Sequence, residues 1–279
     1  MSETKKLAIV TPTRDGQYDL NYVSALIETV KVCADNGIEV KPTLWSGCSD
    51  IIAGRNKAFN NWFYLSEADY FMFIDSDMGW SPQSVLRMIE KLAHKEVGAV
   101  ALNYPKKVLD IERIFQIAQT YGQRGEDVNL QQCIFAAYDY VTYGKHEMVT
   151  EGELAGMCKV EGVGMGMFMI DRAGAEVLVK HTESEGKLEI CEFGDDKFKA
   201  KGYPLFNPQM IDGKNIGEDF SFCSRLNDAG LNLWVLADEP VRHVGNYAFD
   251  AMFCEYMFTM QDFAKFKKES ETVTEGNNG

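Results

Sequence analysis

Short apolar runs rich in β-branched and aromatic residues alternate with segments of helical periodicity in the first part of the chain. Strands are predicted at 7–10, 40–45, 70–74 and 97–102, and helix start signals lie between them. This alternation is typical of a doubly wound, mostly parallel sheet, because each helix returns the chain to the same edge. Ligands of such sheets bind where the strands end. The chemistry of this chain is therefore expected at the residues that follow the strands.

Two carboxylates follow the third predicted strand. The apolar run 70–74 leads directly into Asp75, Ser76 and Asp77. In extended backbone the two carboxylates would face opposite sides, but a turn at Ser76 would bring them together. Adjacent carboxylates repel one another and are stabilised by a cation. The pair predicts a Mg²⁺ or Mn²⁺ ion that is completed by substrate phosphates, and the alternative interpretation is a solvated turn.

A second acidic pair and a histidine occur late in the chain. Glu218 and Asp219 follow Gly217 at the start of a predicted helix, where they could stabilise the helix dipole or supply a base for an incoming hydroxyl. His243 follows a predicted strand by a few residues. Its imidazole could complete the shell of an ion bound by the aspartates, since manganese accepts oxygen and nitrogen ligands together. The alternative is a structural histidine.

A glycine-rich segment and a set of basic residues each have two possible interpretations. The glycines of 162–166 alternate before a predicted strand and do not form G-x-G-x-x-G, so they indicate either close approach to a ligand or a bulge. Arg55 lies on the second predicted helix, and Lys106 and Lys107 follow the fourth strand. These cations could face solvent or point at a diphosphate.

Composition limits the partners. The chain has 279 residues and a formal net charge of −14, which disfavours broad electrostatic binding to nucleic acid or to an anionic membrane. It has no apolar stretch of membrane-spanning length and no signal-peptide pattern, so we expect no membrane partner. Seven scattered cysteines without C-x-x-C spacing are typical of a reducing, cytoplasmic compartment.

Taken together, these motifs resemble the GT-A nucleotide-sugar glycosyltransferases, especially the short single-domain enzymes of bacteriophages and large viruses. The resemblance covers roughly residues 6–245. It is carried by Thr11-Pro12-Thr13-Arg14, Gly54-Arg55-Asn56, Ile74-Asp75-Ser76-Asp77, Gly217-Glu218-Asp219 and His243. It implies an α/β fold of the GT-A type: a Rossmann-like, mostly parallel sheet flanked by helices, then an irregular α+β acceptor half and a C-terminal helix.

The resemblance also implies a domain organisation. One glycosyltransferase domain would cover 1–268, with a donor-binding half at about 1–105 and an acceptor half at about 106–268. The pattern predicts an amphipathic helix at 248–268 and a disordered tail at 269–279. The segment 181–215 matches no motif of the family. The expected location is the cytoplasm, that of the host if the protein is viral, and the oligomeric state is not indicated.

Carried over by position, the resemblance implies roles for individual residues. The residues that would bind the donor nucleotide are Thr11, Pro12, Thr13, Arg14, Arg55, Asp75 and Ser76. Those that would bind the metal are Asp75, Asp77 and His243, and the acceptor or sugar pocket would include Gly164, Met165, Gly166, Tyr104 and Lys106.

The resemblance implies that Asp219, beside Glu218, acts as the base of an inverting reaction. Retaining members need no such base, and the sequence leaves that outcome open. The expected donor is a UDP-sugar, and the acceptor is a hydroxyl of a glycan or of a hydroxymethylated pyrimidine in phage DNA. The alternatives are a nucleotidyltransferase, which uses the same acids and metal to attack phosphorus, and an inactive binding module.

Overall fold

The computed structural model describes residues 4–193, 200–245 and 248–276. The strands are β1 Lys5–Pro12, β2 Ile38–Trp45, β3 Tyr70–Ile74, β4 Met78–Trp80, β5 Ala99–Leu102, β6 Pro105–Leu109, β7 Tyr138–Tyr140, β8 Thr142–Tyr143, β9 Met157–Val160, β10 Gly162–Val163, β11 Met167–Asp171, β12 Cys191–Phe193, β13 Ala200–Gly202, β14 Gln209–Ile211, β15 Lys214–Ile216, β16 Leu233–Leu236, β17 Val241–Val244 and β18 Ala248–Ala251. The helices are α1 Leu20–Asp35, α2 Ile51–Leu65, α3 Pro82–Leu92, α4 Ile111–Gln123, α5 Leu130–Ala136, α6 Arg172–Glu185, α7 Glu218–Asp228 and α8 Phe253–Gly276.

A seven-stranded sheet in the order β2-β1-β3-β11-β5-β16-β9 forms the centre of the molecule. β1 pairs in parallel with β2 and β3, and β5 pairs in parallel with β16, while β11 and β9 run antiparallel to their neighbours. A mainly parallel sheet flanked by helices is consistent with a Rossmann-like fold. The predicted α/β class is thereby confirmed at this level.

The reversed direction of β11 shapes the edge of the sheet where β3 ends. Its first residue, Met167, pairs with Ile74, the last residue of β3. The glycine-rich segment before β11 therefore arrives where β3 ends, and the Asp75 N–H donates to the Gly166 carbonyl at 2.9 Å. An antiparallel strand thus brings a loop from the middle of the chain to the ends of the parallel strands.

A smaller sheet in the order β18-β17-β4 lies beside this edge. β4 follows the Asp75–Asp77 turn, and β17 pairs antiparallel with it so that His243 is opposite Met78. The Val244 N–H also donates to the Asp77 carbonyl at 2.8 Å. This pairing places His243 next to the turn.

Three helices begin next to residue types that favour helix starts. Asp50 accepts backbone N–H bonds at the start of α2, and Ser81 does so at the start of α3, ahead of Pro82. Asp171 caps α6 in the same way. The core packs α2 and α7 onto the sheet through aromatic rings, among them the stacked pair Phe206 and Phe222 with centroids 4.2 Å apart.

The second half of the chain differs from its sequence pattern in several places. The segment 133–141 is rich in β-prone residues, but it begins with four residues of α5, because Asn129 accepts backbone N–H bonds and starts a helix. The last helix starts at Phe253 rather than at 248, since Ala248–Ala251 pairs with β17. It reaches Gly276, so 269–276 is helical where a disordered tail was predicted, and 277–279 lies outside the described residues.

The excursion 181–215 contains two short antiparallel pairs, β12 with β13 and β14 with β15. Residues 194–199 within it lie outside the described residues. Within the described ranges, none of the helices combines the length and apolar character needed to cross a bilayer.

Candidate functional site

The chain turns sharply where β3 ends. The Met78 N–H donates to the Asp75 carbonyl at 3.2 Å, and the Ser76 carbonyl accepts from the Asp19 N–H at 2.9 Å. These bonds hold the turn against the start of α1. The two carboxylates of the turn have different partners: Asp75 Oδ1 lies 3.6 Å from Arg55 Nη2, whereas Asp77 faces Lys107 and His243.

Asp77 and His243 face each other across the junction of the two sheets. Asp77 Oδ1 lies 3.6 Å from His243 Nε2. The other ring nitrogen, Nδ1, lies 2.7 Å from the Pro105 carbonyl. A carbonyl only accepts, so Nδ1 carries the proton and a neutral ring presents the Nε2 lone pair to Asp77. Asp77 Oδ1 is itself buried without a hydrogen-bond partner.

Burial is the largest influence on the pKa values of His243 and Asp75. It lowers the pKa of His243, against the smaller opposing effects of the Pro105 hydrogen bond and the Asp77 charge. Burial also raises the pKa of Asp75, and the Arg55 guanidinium opposes that rise. A neutral imidazole is the form that can ligate a metal.

The donor atoms fit a magnesium or manganese ion that is shared with a substrate. Asp77 Oδ1 and His243 Nε2 supply one oxygen and one nitrogen with free lone pairs. Over the described ranges, no three His, Cys, Asp or Glu side chains gather closely enough to form a complete metal site. Ions of this kind are often held by one or two protein ligands and by phosphate oxygens. Of the three predicted ligands, Asp77 and His243 face each other and Asp75 pairs with Arg55 instead.

Arg55 is the buried cation of the site. Its side chain, on α2, is 5% exposed and lies over the Phe73 ring at 5.8 Å. Its guanidinium contacts Asp219 Oδ1, lies 3.4 Å from Glu218 Oε1 and lies 3.6 Å from Asp75 Oδ1. The prediction placed Arg55 near a ribose or diphosphate. In the structure it lies close to three carboxylates from two distant segments of the chain.

Asp219 does not cap its own helix. The N-cap of α7 is Gly217, which makes no side-chain cap, and Asp219 Oδ2 accepts the Met165 N–H at 3.2 Å. With Arg55 on the other oxygen, both oxygens of the carboxylate are oriented by groups outside the helix. Asp219 still lies in the first turn of α7, where its charge favours the helix dipole, but its direct partners are Arg55 and Met165 rather than the N–H groups of its own helix.

The glycine-rich segment makes room for Tyr104. A Cβ at Gly164 would lie 2.2 Å from the Tyr104 hydroxyl oxygen, and one at Gly166 would lie 2.7 Å from its ring. The hydroxyl also accepts the Gly166 N–H at 3.1 Å. The glycines and Met165 are buried, so these predicted pocket residues pack within the protein. Lys106, also assigned to that pocket, is exposed on β6.

The end of β1 and the loop after it are held by hydrogen bonds to α1, to β2 and within the loop. Thr11 is fully buried, and its hydroxyl shares a 2.7 Å hydrogen bond with the Tyr22 hydroxyl. Pro12 is buried, and Thr13 Oγ1 accepts the Gly16 N–H at 2.6 Å. Arg14 is exposed. The Thr11 hydroxyl therefore supports the fold, whereas Asp15, Gln17 and Tyr18 further along the loop line a cavity.

A cavity of about 420 Å³ opens beside Asp77. It lies between the loop before α1, the Asp75–Asp77 turn and the end of β17, and its lining includes Asp15, Gln17, Tyr18, Ser76, Asp77 and Val244. The sequence reasoning missed the first three of these, because no motif marks them. Only the contact between the loop and the turn brings them to the site.

No protein-family model matches this chain, and no curated protein matches it. Among solved structures, the crystal structure of A197 from STIV is a distant neighbour. It matches over 86% of this chain and 86% of its own, with a TM-score of 0.46 and 16% sequence identity. A likeness at this level carries no argument about activity, so the residues of the site are the basis for any proposal of function.

Proposed function

We propose that this protein is a metal-dependent glycosyltransferase of the GT-A type, which moves a sugar from a nucleoside diphosphate donor to an acceptor hydroxyl. One juxtaposition carries the proposal. The Asp77–His243 pair and the cavity beside it lie at one edge of the sheet. The Asp219 carboxylate, which groups outside α7 hold in place, belongs to the same edge. The first pair suits a diphosphate-bound cation, and the last suits deprotonation of an acceptor.

The leaving group would be held at Asp77. Asp77 Oδ1 and His243 Nε2 would hold a Mn²⁺ or Mg²⁺ ion, which when bound neutralises charge that develops on the departing diphosphate. The four carboxylates of the site, at 75, 77, 218 and 219, face two cations, Arg55 and Lys107. The excess of negative charge suits a divalent cation. The cavity beside Asp77 would take the donor, for which a UDP-sugar is our proposal.

Asp219 would act as the base of an inverting reaction. The acceptor oxygen attacks the anomeric carbon while the bond from that carbon to the diphosphate oxygen breaks. The acceptor proton passes to the Asp219 carboxylate, and the nucleoside diphosphate leaves. Arg55 and the Met165 N–H orient the carboxylate before the acceptor arrives. A positioned base of this kind contributes about 10²–10⁴-fold to the rate.

The acceptor class we favour is a glycan rather than modified DNA. A DNA groove would need basic residues that are free to bind phosphate, and the two arginines of α4 and its C-cap are paired with carboxylates. Arg113 pairs with Asp110 and Asp139, and Arg124 pairs with Glu126 and Asp262. With a net charge of −14, this leaves little electrostatic attraction for a duplex.

The test is product analysis with a panel of nucleotide sugars and Mn²⁺. We expect one donor to release free nucleoside diphosphate, faster with a glycan acceptor than with water. Release should stop in excess chelator and fall by about 10²-fold or more in Asp219→Asn. Formation of pyrophosphate would instead identify a nucleotidyltransferase. Failure of every nucleotide sugar to bind or react would contradict the proposal.

A further inference from the structure

Lys107 carries a feature that the catalytic roles above do not use. Its Nζ contacts Asp77 Oδ2, the second oxygen of the carboxylate whose Oδ1 faces His243. About a third of each side chain's surface is exposed to solvent, 35% for Lys107 and 36% for Asp77. The ammonium is therefore a cation at the metal-binding carboxylate that can leave for solvent or for a ligand.

The Lys107 side chain, which starts from β6, passes over Gly245, the residue after β17. A Cβ on Gly245 would lie 2.9 Å from Lys107 Cδ and 3.4 Å from its Cγ. The lysine stem thus lies across a position where any larger residue would push it aside. Gly245 has no positive φ, so its backbone does not itself require glycine. Contact with the lysine stem is the constraint that the structure shows at this residue.

We propose that Lys107 makes metal binding at Asp77 depend on the nucleoside diphosphate. In the free protein its ammonium neutralises Asp77 and competes with a divalent cation for the carboxylate. When the diphosphate enters, the flexible ammonium moves from Asp77 to a phosphate oxygen, and Asp77 becomes available to the ion. A lysine suits this exchange because its charge sits on a long stem with rotatable donors. The inference rests on the proposed function.

This arrangement has a thermodynamic consequence. Metal and nucleotide bind cooperatively, because each removes the competing partner of the other, and the coupling is reciprocal. Removal of the ammonium should tighten binding of the metal alone and weaken binding of the nucleotide. The two affinities therefore move in opposite directions in one variant. If Lys107 were only a phosphate-binding charge, its removal would lower nucleotide affinity without raising the affinity for the metal.

The test is calorimetric titration with Mn²⁺ alone and with UDP alone. We expect Lys107→Met to bind Mn²⁺ about three- to tenfold more tightly than the wild type and UDP about tenfold more weakly. Gly245→Ala keeps the charge and displaces the stem, so it should also tighten Mn²⁺ binding. Lys95→Met is the matched control, because this exposed lysine precedes β5 at the opposite edge of the sheet. Circular dichroism checks that each variant is folded.

The outcomes separate the two proposals. If the wild type binds Mn²⁺ and Asp77→Asn does not, but Lys107→Met matches Lys95→Met in Mn²⁺ affinity, the role of Lys107 is overturned and the metal site stands. If neither the wild type nor Lys107→Met binds Mn²⁺ with or without UDP, both the metal-dependent function and this inference are overturned. Opposite shifts of the two affinities in Lys107→Met support it.

Discussion

Arg55 on α2 contacts the carboxylate of Asp219 on α7, and this ion pair joins the two halves of the chain at the edge of the sheet where β3 ends. The arginine side chain is 5% exposed and the aspartate side chain 20%. Arg55 also faces Asp75 and Glu218, so a single buried guanidinium stabilises carboxylates from three positions. Loss of this cation should therefore affect both the stability of the fold and the orientation of the proposed base.

We expect Arg55→Gln to lower the free energy of unfolding by about 3 kcal/mol, since it leaves largely buried carboxylates without their cation. A urea-denaturation cycle with Arg55→Gln, Asp219→Asn and the double variant measures the pair itself, and we expect a coupling of about 1–3 kcal/mol. Arg242→Gln is the control, because its pair with Asp250 is far more exposed and should cost below about 1 kcal/mol. Additive single effects would show that the two residues act independently.

We expect Asp77→Asn to reduce metal-dependent release of nucleoside diphosphate by about 10²-fold or more, because the amide supplies no charge for a cation. Steady-state assays at saturating Mn²⁺ measure it. Asp69→Asn is the control, because it makes the same change at the residue that precedes β3, where Asp69 pairs with Lys5. This variant should keep nearly full activity. Equal rates in the two variants would remove Asp77 from the proposed site.

We expect Gly166→Ala to destabilise the fold by about 1–3 kcal/mol, since its Cβ would lie 2.7 Å from the buried Tyr104 ring. Urea denaturation measures the change. Gly122→Ala is the control: it lies in α4 with nothing within 4 Å of its new Cβ, and it should raise stability by up to about 1 kcal/mol. An unchanged midpoint for Gly166→Ala would mean that Tyr104 can move away, and the segment would then be open to a ligand.

We expect the free energy of unfolding to fall as the pH rises from 10 to 12. Burial raises the pKa of Tyr22 from 10.0 to about 12, against the weaker opposing effect of its hydrogen bond to Thr11. Between these values the folded state binds more protons than the unfolded state, so rising pH favours unfolding, by about 2–3 kcal/mol over the window. Tyr22→Phe should show a shallower decline than the wild type in urea titrations at each pH. Equal slopes would contradict the assignment.

The sequence by itself determined several of the local helices and strands, and it indicated the strand end at which to look for a functional site. The apolar run 70–74 followed by two acids predicted a strand that ends on Asp75 and Asp77, and a strand ends there. The capping residues Ser81 and Asp171, and either Ser49 or Asp50, marked the starts of three helices, and Asp50 is the cap of α2. These features depend on neighbouring residues, whose propensities and hydrogen bonds act over a few positions.

Only the tertiary structure decided which distant groups meet. The antiparallel insertion of β11 brought Gly166 to Asp75, and the pairing of β17 with β4 brought His243 to Asp77. Whether Arg55 faced solvent, a phosphate or Asp219 depended on the packing of α2 against α7, and the partner of Lys107 depended on the end of β17. Strand direction and contacts of this kind arise from burial of the whole core, which no short stretch of residues encodes.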